Sequence, residues 1–191
     1  SPSGGVGFEG MLSYEKRDGF YRVAALMGAH VGAEDVGSAA GERLIDMSFE
    51  SADLKGAEIP VDLVPSMIDE FPILAVLAAF ATGTTVVKGA AELRVKESDR
   101  IKAVVAMLRV NGVEVEETED GFIVQGRSGA VPGGGLVETH HDHRIAMSAL
   151  VMGTASQKPV SIDDAAMIAT SYPDFMEHMR VLGADFQQGA S

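Results

Sequence analysis

One device recurs three times along this chain and limits what it can fold into: an amphipathic helical stretch, a glycine-centred stop and a short strand-like run. The copies close on Met27-Gly28-Ala29-His30-Val31, Asn111-Gly112-Val113-Glu114-Val115 and Leu182-Gly183-Ala184-Asp185-Phe186. Glycine suits the left-handed residue that ends a helix, because it has no Cβ to clash there. The copies lie farther apart than solenoid periods of roughly 20–50 residues, so the pattern predicts a few large βα units and not an array. A second element recurs within the first. Asp69 and Asp142 each precede a nearly uncharged helical stretch, followed by the β-rich runs Thr84-Thr85-Val86-Val87 and Pro159-Val160-Ser161-Ile162. Helices apolar on every face belong in an interior, with sheets outside them. The expected class is α/β with helices as the core layer, and the Gly-rich stretch Gly126 to Gly135 reads as a hairpin tip or surface loop.

The 191 residues, 46% of them hydrophobic, suffice for one large domain or two small ones. No stretch between Ser13 and Gln187 reads as an interdomain linker, so residues 1–191 are taken as a single domain. The absence of cysteine excludes a disulfide framework, Cys-based zinc sites and a thiol nucleophile, and it fits a reducing compartment such as the cytoplasm. A net charge of −13 repels phosphates and argues against nucleic-acid or anionic-membrane binding. An anionic ligand therefore needs a local basic patch. The longest apolar run, Pro72 to Ala81, is ten residues, short of the roughly 20 that span a membrane, and reads as a buried core helix. The start, Ser1-Pro2-Ser3-Gly4-Gly5, lacks the basic and apolar regions of a signal peptide. It also lacks an initiating Met, which fits a chain that begins inside a longer protein or has had its Met removed.

Gly5-x-Gly7-x-x-Gly10 matches the dinucleotide fingerprint by letter, but that motif needs a strand before it and a helix at its end. A strand-edge or flexible glycine stretch is the better reading. His140-His141-Asp142-His143 offers imidazole and carboxylate ligands, yet adjacent positions rarely converge on one ion. A strand-to-helix junction, with Asp142 capping free N–H groups, is preferred.

The basic patch is at Lys88 to Lys102, with Lys88, Arg94, Lys96, Arg100 and Lys102 against Glu92, Glu97 and Asp99. Ser98 or Asp99 is a plausible N-cap, after which Ile101, Val104, Val105 and Leu108 form an i, i+3, i+4, i+7 apolar stripe. The cations then sit at a helix N-terminus, where free N–H groups and the dipole already favour an anion. Glu97, extrapolated along that helix, falls on the side of the stripe, where desolvation would suit it to proton donation. Taken alone, the stretch reads first as a solvated charged first turn. Asp69, just before the most apolar helix, is either an N-cap or a site residue. Arg144, two residues after Asp142, offers a guanidinium fork for a carboxylate or phosphate.

Together, Leu93-Arg94-Val95-Lys96-Glu97-Ser98-Asp99-Arg100, Asp142-His143-Arg144-Ile145-Ala146-Met147, the Asp69 segment and Ser171-Tyr172-Pro173-Asp174-Phe175 resemble the 5-enolpyruvylshikimate-3-phosphate (EPSP) synthase family. Four motifs in the family's order are far more specific than any one. The resemblance runs from about Gly19 to the C-terminus and is closest to the class II bacterial form in Pro65-Ser66-Met67-Ile68-Asp69-Glu70 and Met167-Ile168-Ala169-Thr170-Ser171. It implies a transferase that moves the enolpyruvyl group of phosphoenolpyruvate to the 5-hydroxyl of shikimate 3-phosphate, releases phosphate and uses no cofactor or metal.

By position in the motifs, the resemblance makes Asp69 the acceptor of the hydroxyl proton and Glu97 the donor to the phosphoenolpyruvate methylene. Lys96 would contact both substrates, and Arg100 and Arg144 would clamp phosphoenolpyruvate. The implied fold is an inside-out α/β globe of βαβαββ units with buried helices, one of two such globes with the site between them. The chain then corresponds to the C-terminal globe, its partner is the missing N-terminal domain, and the isolated chain is expected to be nearly inactive. Thr170 stands where many members carry a Lys. The alternatives are the related transferase acting on a UDP-amino sugar and a non-catalytic binding domain of the same fold. The Lys96-Glu97-Ser98-Asp99-Arg100 run favours the shikimate enzyme.

Overall fold

The computed structural model describes residues 5–13, 17–50 and 52–187; Ser1 to Gly4 of the N-terminal reading lie outside them. The first third holds β1 (Gly5–Leu12), α1 (Gly19–Leu26), β2 (His30–Ala39) and β3 (Glu42–Glu50). These strands form one antiparallel sheet in the order β1-β3-β2. Gly5-x-Gly7-x-x-Gly10 thus lies in an edge strand with no helix at its end.

The middle third carries α2 (Phe71–Phe80), β4 (Thr84–Val87), α3 (Arg100–Val110), β5 (Glu114–Glu117) and β6 (Phe122–Gln125). Short 3-10 helices, Val61–Glu70 and Ala91–Val95, precede α2 and α3. Parallel bridges from Lys55 to Thr82 and from Glu58 to Val86 add a strand-like segment ahead of α2. With it, this third is a complete βαβαββ unit, closed by the antiparallel sheet β4-β6-β5. The last third holds β7 (Leu136–Val137), α4 (His143–Ala155), β8 (Ser161–Ile162), α5 (Ile168–Ser171) and α6 (Phe175–Val181), with β7 and β8 parallel.

The helices form the inner layer, as their composition predicts. Seven of the ten residues of α2 are buried, and α2, α3 and α4 pack on one another within a single apolar cluster. Phe71 and Leu74 of α2 are fully buried, each worth roughly 1.5–3 kcal/mol relative to exposure. Ile101, Val104, Val105 and Leu108 all face this core, as their spacing requires. By length and hydropathy alone, Val61–Phe80 would cross a membrane. Here it is broken in backbone at Met67 (φ −142°, ψ 24°), and its apolar side chains Met67, Phe71, Leu74 and Ala78 are buried inside protein.

The glycine stops behave as read: Gly28, Gly112 and Gly183 have φ of 98°, 80° and 96°. Two strand readings are corrected. After Gly183 no strand follows among the described residues, and Pro159 to Ile162 yields a strand only over Ser161–Ile162. The second run does lie along residues 131–137, with Lys158 bridged to Gly133, but Pro159 has no N–H to give to the ladder between that bridge and Ser161. Gly126 to Gly135 is a loop, but it crosses from β6 in one sheet towards β7 in another and is not a hairpin tip.

Candidate active site

Three helix approaches converge on one cluster of charge. The 3-10 helix before α2 ends with Asp69 and Glu70, the bend before α3 presents Lys96 and Glu97, and Arg100 and Arg144 are the first residue of α3 and the second of α4. Each of the latter helices is capped by an aspartate. The Asp99 carboxylate accepts from the Lys102 N–H at 3.1 Å, and that of Asp142 from the Arg144 N–H at 2.9 Å. Asp142 is thus the cap that its position before a helix predicts.

Arg100 is the hub. Its side chain is fully buried, and Nε donates to Asp142 Oδ2 at 2.8 Å, Nη1 to Asp69 Oδ1 at 3.0 Å and Nη2 to Glu97 Oε2 at 2.5 Å. A buried guanidinium is tolerable only when paired this fully, because desolvating it alone costs several kcal/mol. The hydroxyl of Ser98 donates to Asp142 Oδ2 at 3.0 Å. Burial works to push the Asp142 carboxyl up, but Arg100, Ser98 and the Arg144 N–H outweigh it and hold the group below the usual carboxylate range.

Asp69 faces the remaining cations. Lys96 Nζ lies 3.6 Å from Oδ1, Arg144 Nη2 lies 3.8 Å from Oδ2, and Arg144 Nη1 also donates to the Asp69 carbonyl at 3.1 Å. Arg17 reaches Oδ2 at 3.3 Å from a largely exposed position. Burial again favours the neutral acid, and Arg144, Lys96 and Arg100 again overcome it, so Asp69 is held ionised at neutral pH. A 2.7 Å contact with Glu92 holds the Lys96 ammonium above its ordinary range, assisted by Asp69. Beside Asp69 and Arg144 opens a groove of about 250 Å³, floored by Ile73, Met147, Val151 and Phe175 and flanked by Tyr172. Thr170 turns its hydroxyl to the Met167 carbonyl at 2.7 Å and brings no charge to the groove.

All five residues singled out in the sequence, Asp69, Lys96, Glu97, Arg100 and Arg144, therefore belong to one connected network. Two details differ from expectation. Glu97 does not lie on the apolar stripe; α3 starts only at Arg100, and Glu97 sits in the preceding bend with its side chain 51% exposed. The basic run is not an open cationic surface either. Arg94 is bound by Asp99 and Glu117, Arg100 by three carboxylates, Lys88 by Glu58 and Lys96 by Glu92. The place of Asp142 before a helix marks it as a cap and does not reveal it as the charge partner of Arg100. The signal available was its place two residues before Arg144, which could not say that Arg100 turns inward. His140 and His141 are exposed residues with left-handed φ of 52° and 57°, and among the described residues no three His, Asp or Glu side chains form a metal-holding group.

Three outer sheets around a helical interior, with paired carboxylates and cations at the helix N-termini, define an inside-out α/β globe of the enolpyruvyl transferase type. The sequence pattern of EPSP synthase (3-phosphoshikimate 1-carboxyvinyltransferase) matches residues 4–179, and the chain belongs to that family. A relative from Hyphomonas neptunium with the name 3-phosphoshikimate 1-carboxyvinyltransferase is 73% identical over 98% of this chain and 43% of its own length. One of the same name from a Bradyrhizobium species is 59% identical over 89% of this chain and 38% of its own length. The EPSP synthase structure from Acinetobacter baumannii superposes with a TM-score of 0.91 at 39% identity, covering 95% of this chain and 42% of that one. The enolpyruvyl transferase NikO of Streptomyces tendae, at 22% identity and a TM-score of 0.64, shares the fold. The chain thus spans less than half the length of these relatives.

Proposed function

We propose that this chain, as a single domain over 1–191, forms the C-terminal globe of an enzyme that transfers the enolpyruvyl group of phosphoenolpyruvate to the 5-hydroxyl of shikimate 3-phosphate. The observation that carries the reading is the convergence of Lys96, Arg100 and Arg144 on Asp69, with the more exposed Glu97 bound to the same Arg100. Such a site offers cations to a doubly anionic substrate and two carboxylates for proton traffic.

In the addition, the hydroxyl oxygen forms a bond to C2 of phosphoenolpyruvate while Asp69 takes the hydroxyl proton and Glu97 gives a proton to C3. In the elimination, C3 returns its proton to Glu97, the C2–O bond to phosphate breaks as Asp69 passes its proton to the departing oxygen, and the double bond re-forms, which leaves both carboxylates as they began. Nothing is oxidised or reduced, so the balance asks for no redox cofactor. An ionised, cation-paired Asp69 is a weak base. Anionic substrates that draw Arg144 and Lys96 onto themselves would restore its basicity. Glu97, half exposed and bound to Arg100, is the second carboxyl of the cluster and carries the proton for C3. The missing N-terminal domain is the implied partner, and a cytoplasmic location goes with the same reading.

The test joins this chain to the remaining portion of the Hyphomonas neptunium relative and follows phosphate release from the two substrates. The joined protein is expected to turn over, the chain alone to show little release, and Glu97→Gln to lower kcat by roughly 10²–10⁴-fold. Undiminished release by Glu97→Gln would remove the proton-donor assignment, and no release by the joined protein would remove the activity.

A further inference from the structure

The segment that presents Lys96 and Glu97 is an arch whose crest has little to bury. Val95 is 80% exposed, Glu97 is half exposed, and only Leu93 behind them is fully inside. Apolar packing therefore cannot fix its shape. What closes it is polar: Arg94 on one side of the arch bonds Asp99 on the other, with Nη1 at 3.3 Å from Oδ1 and 3.0 Å from Oδ2. The same guanidinium donates to Glu117 Oε1 at 3.0 Å, to the Thr118 carbonyl at 2.6 Å and to the Glu119 carbonyl at 2.8 Å. Those acceptors belong to the end of β5 and the turn leading to β6. That turn is gripped a second time, since the N–H groups of Gly89 and Ala90 donate to the Asp120 carboxylate and carbonyl, both at 2.7 Å.

We propose that Arg94 is a positioning residue for the transfer reaction, one that touches no substrate and sets the placement of Lys96 and Glu97 by stapling the arch to the cap of α3 and to the β5–β6 turn. The inference rests on the function proposed above and adds to it a residue outside the reacting cluster. Its physical ground is the guanidinium fork, which reaches a carboxylate across the arch and two backbone carbonyls at once; a lysine ammonium is a single point donor and cannot hold all of these. Asp99 serves both the staple and the helix cap, so loss of Arg94 loosens the limb that leads up to Lys96 and leaves the far end of the arch to the Ser98–Asp142 and Glu97–Arg100 contacts. A displacement of about 1 Å in a reacting group costs on the order of 10²-fold in rate.

The experiment uses the joined two-domain protein described above, with Arg94→Lys, Asp99→Asn and both together. Asparagine keeps the capping oxygen and removes the charge, so it tests the staple while sparing the helix start. Each single variant is expected to lower kcat by roughly 10- to 100-fold, with a smaller rise in the KM for phosphoenolpyruvate, because Lys96 moves while Arg144 is held by other elements. The double variant is expected to be no worse than the poorer single one, since the two residues form one contact. Amide exchange should quicken by at least about tenfold at Leu93 and Thr118, whose N–H groups are bonded at the foot of the arch and in the turn to which it is stapled, and stay unchanged in α2 and α4. A kcat within about twofold of the parent overturns the inference, as does faster exchange spread evenly through α2 and α4, which would mark plain destabilisation. A parent that releases no phosphate sinks the enzymatic reading and with it the catalytic half of this inference. The staple itself then stands or falls on exchange at Leu93 and Thr118.

Discussion

Asp69 and Asp142 look alike in sequence, each a carboxylate just ahead of a nearly uncharged helix, and the structure puts them to different uses. Asp142 caps α4 through the Arg144 N–H, is fully buried and takes the Nε of Arg100. Asp69 caps nothing: α2 has no side-chain cap, and the carboxylate turns sideways to Arg100, Lys96 and Arg144. The difference shows that a carboxylate satisfied by backbone is fixed in place, whereas one satisfied only by side-chain cations can exchange them for a ligand. On the function proposed above, the first builds the site and the second works in it.

The largest effect should come from Asp142→Ala, which leaves Arg100 buried with its main partner gone. A loss of about 3–5 kcal/mol is expected, read as a fall in the urea midpoint; a loss below about 1 kcal/mol would erase the distinction between the two aspartates. Acid comes next. Both carboxyls sit below their unfolded values, near 3.9, so the stability they provide is complete above about pH 4 and drains away as pH falls through the folded values. Thermal melts from pH 6 downwards should therefore hold steady to about pH 4 and then fall; Asp69→Asn should flatten only part of that fall, the remainder belonging to Asp142. The smallest effect concerns the turn before α4. His141 has φ 57°, while the approach to α2 contains no left-handed residue. His141→Gly should gain about 1 kcal/mol, and a melting temperature that drops would show that its 3.8 Å contact with Asp164 outweighs the strain.

The helical interior was legible because Phe71 to Phe80 carries no charge on any face, and the unit boundaries because three glycines mark helix ends. The five site residues were legible as members of ordered motifs. Their orientation was not. Glu97 was placed on the apolar face by assuming a helix that in fact starts at Arg100, one turn too late for it. For Arg100, nothing local reveals that Asp142, 42 positions away, draws its side chain inside. The run after Gly183 has strand-like composition, but a strand exists only where a neighbour completes its ladder, and that depends on chain elsewhere.

The sheet β1-β3-β2 is the longest in the molecule and the least covered. Apart from Met47, no residue of its three strands is buried, with Phe8 and Val36 each 46% exposed. Apolar surface newly wetted on unfolding is what raises heat capacity and sets the denaturant slope. These strands wet little that is not wet already. Calorimetry of this chain should therefore return a heat-capacity increment smaller than its length alone would suggest, with nearly all of it contributed by the α2, α3 and α4 interior.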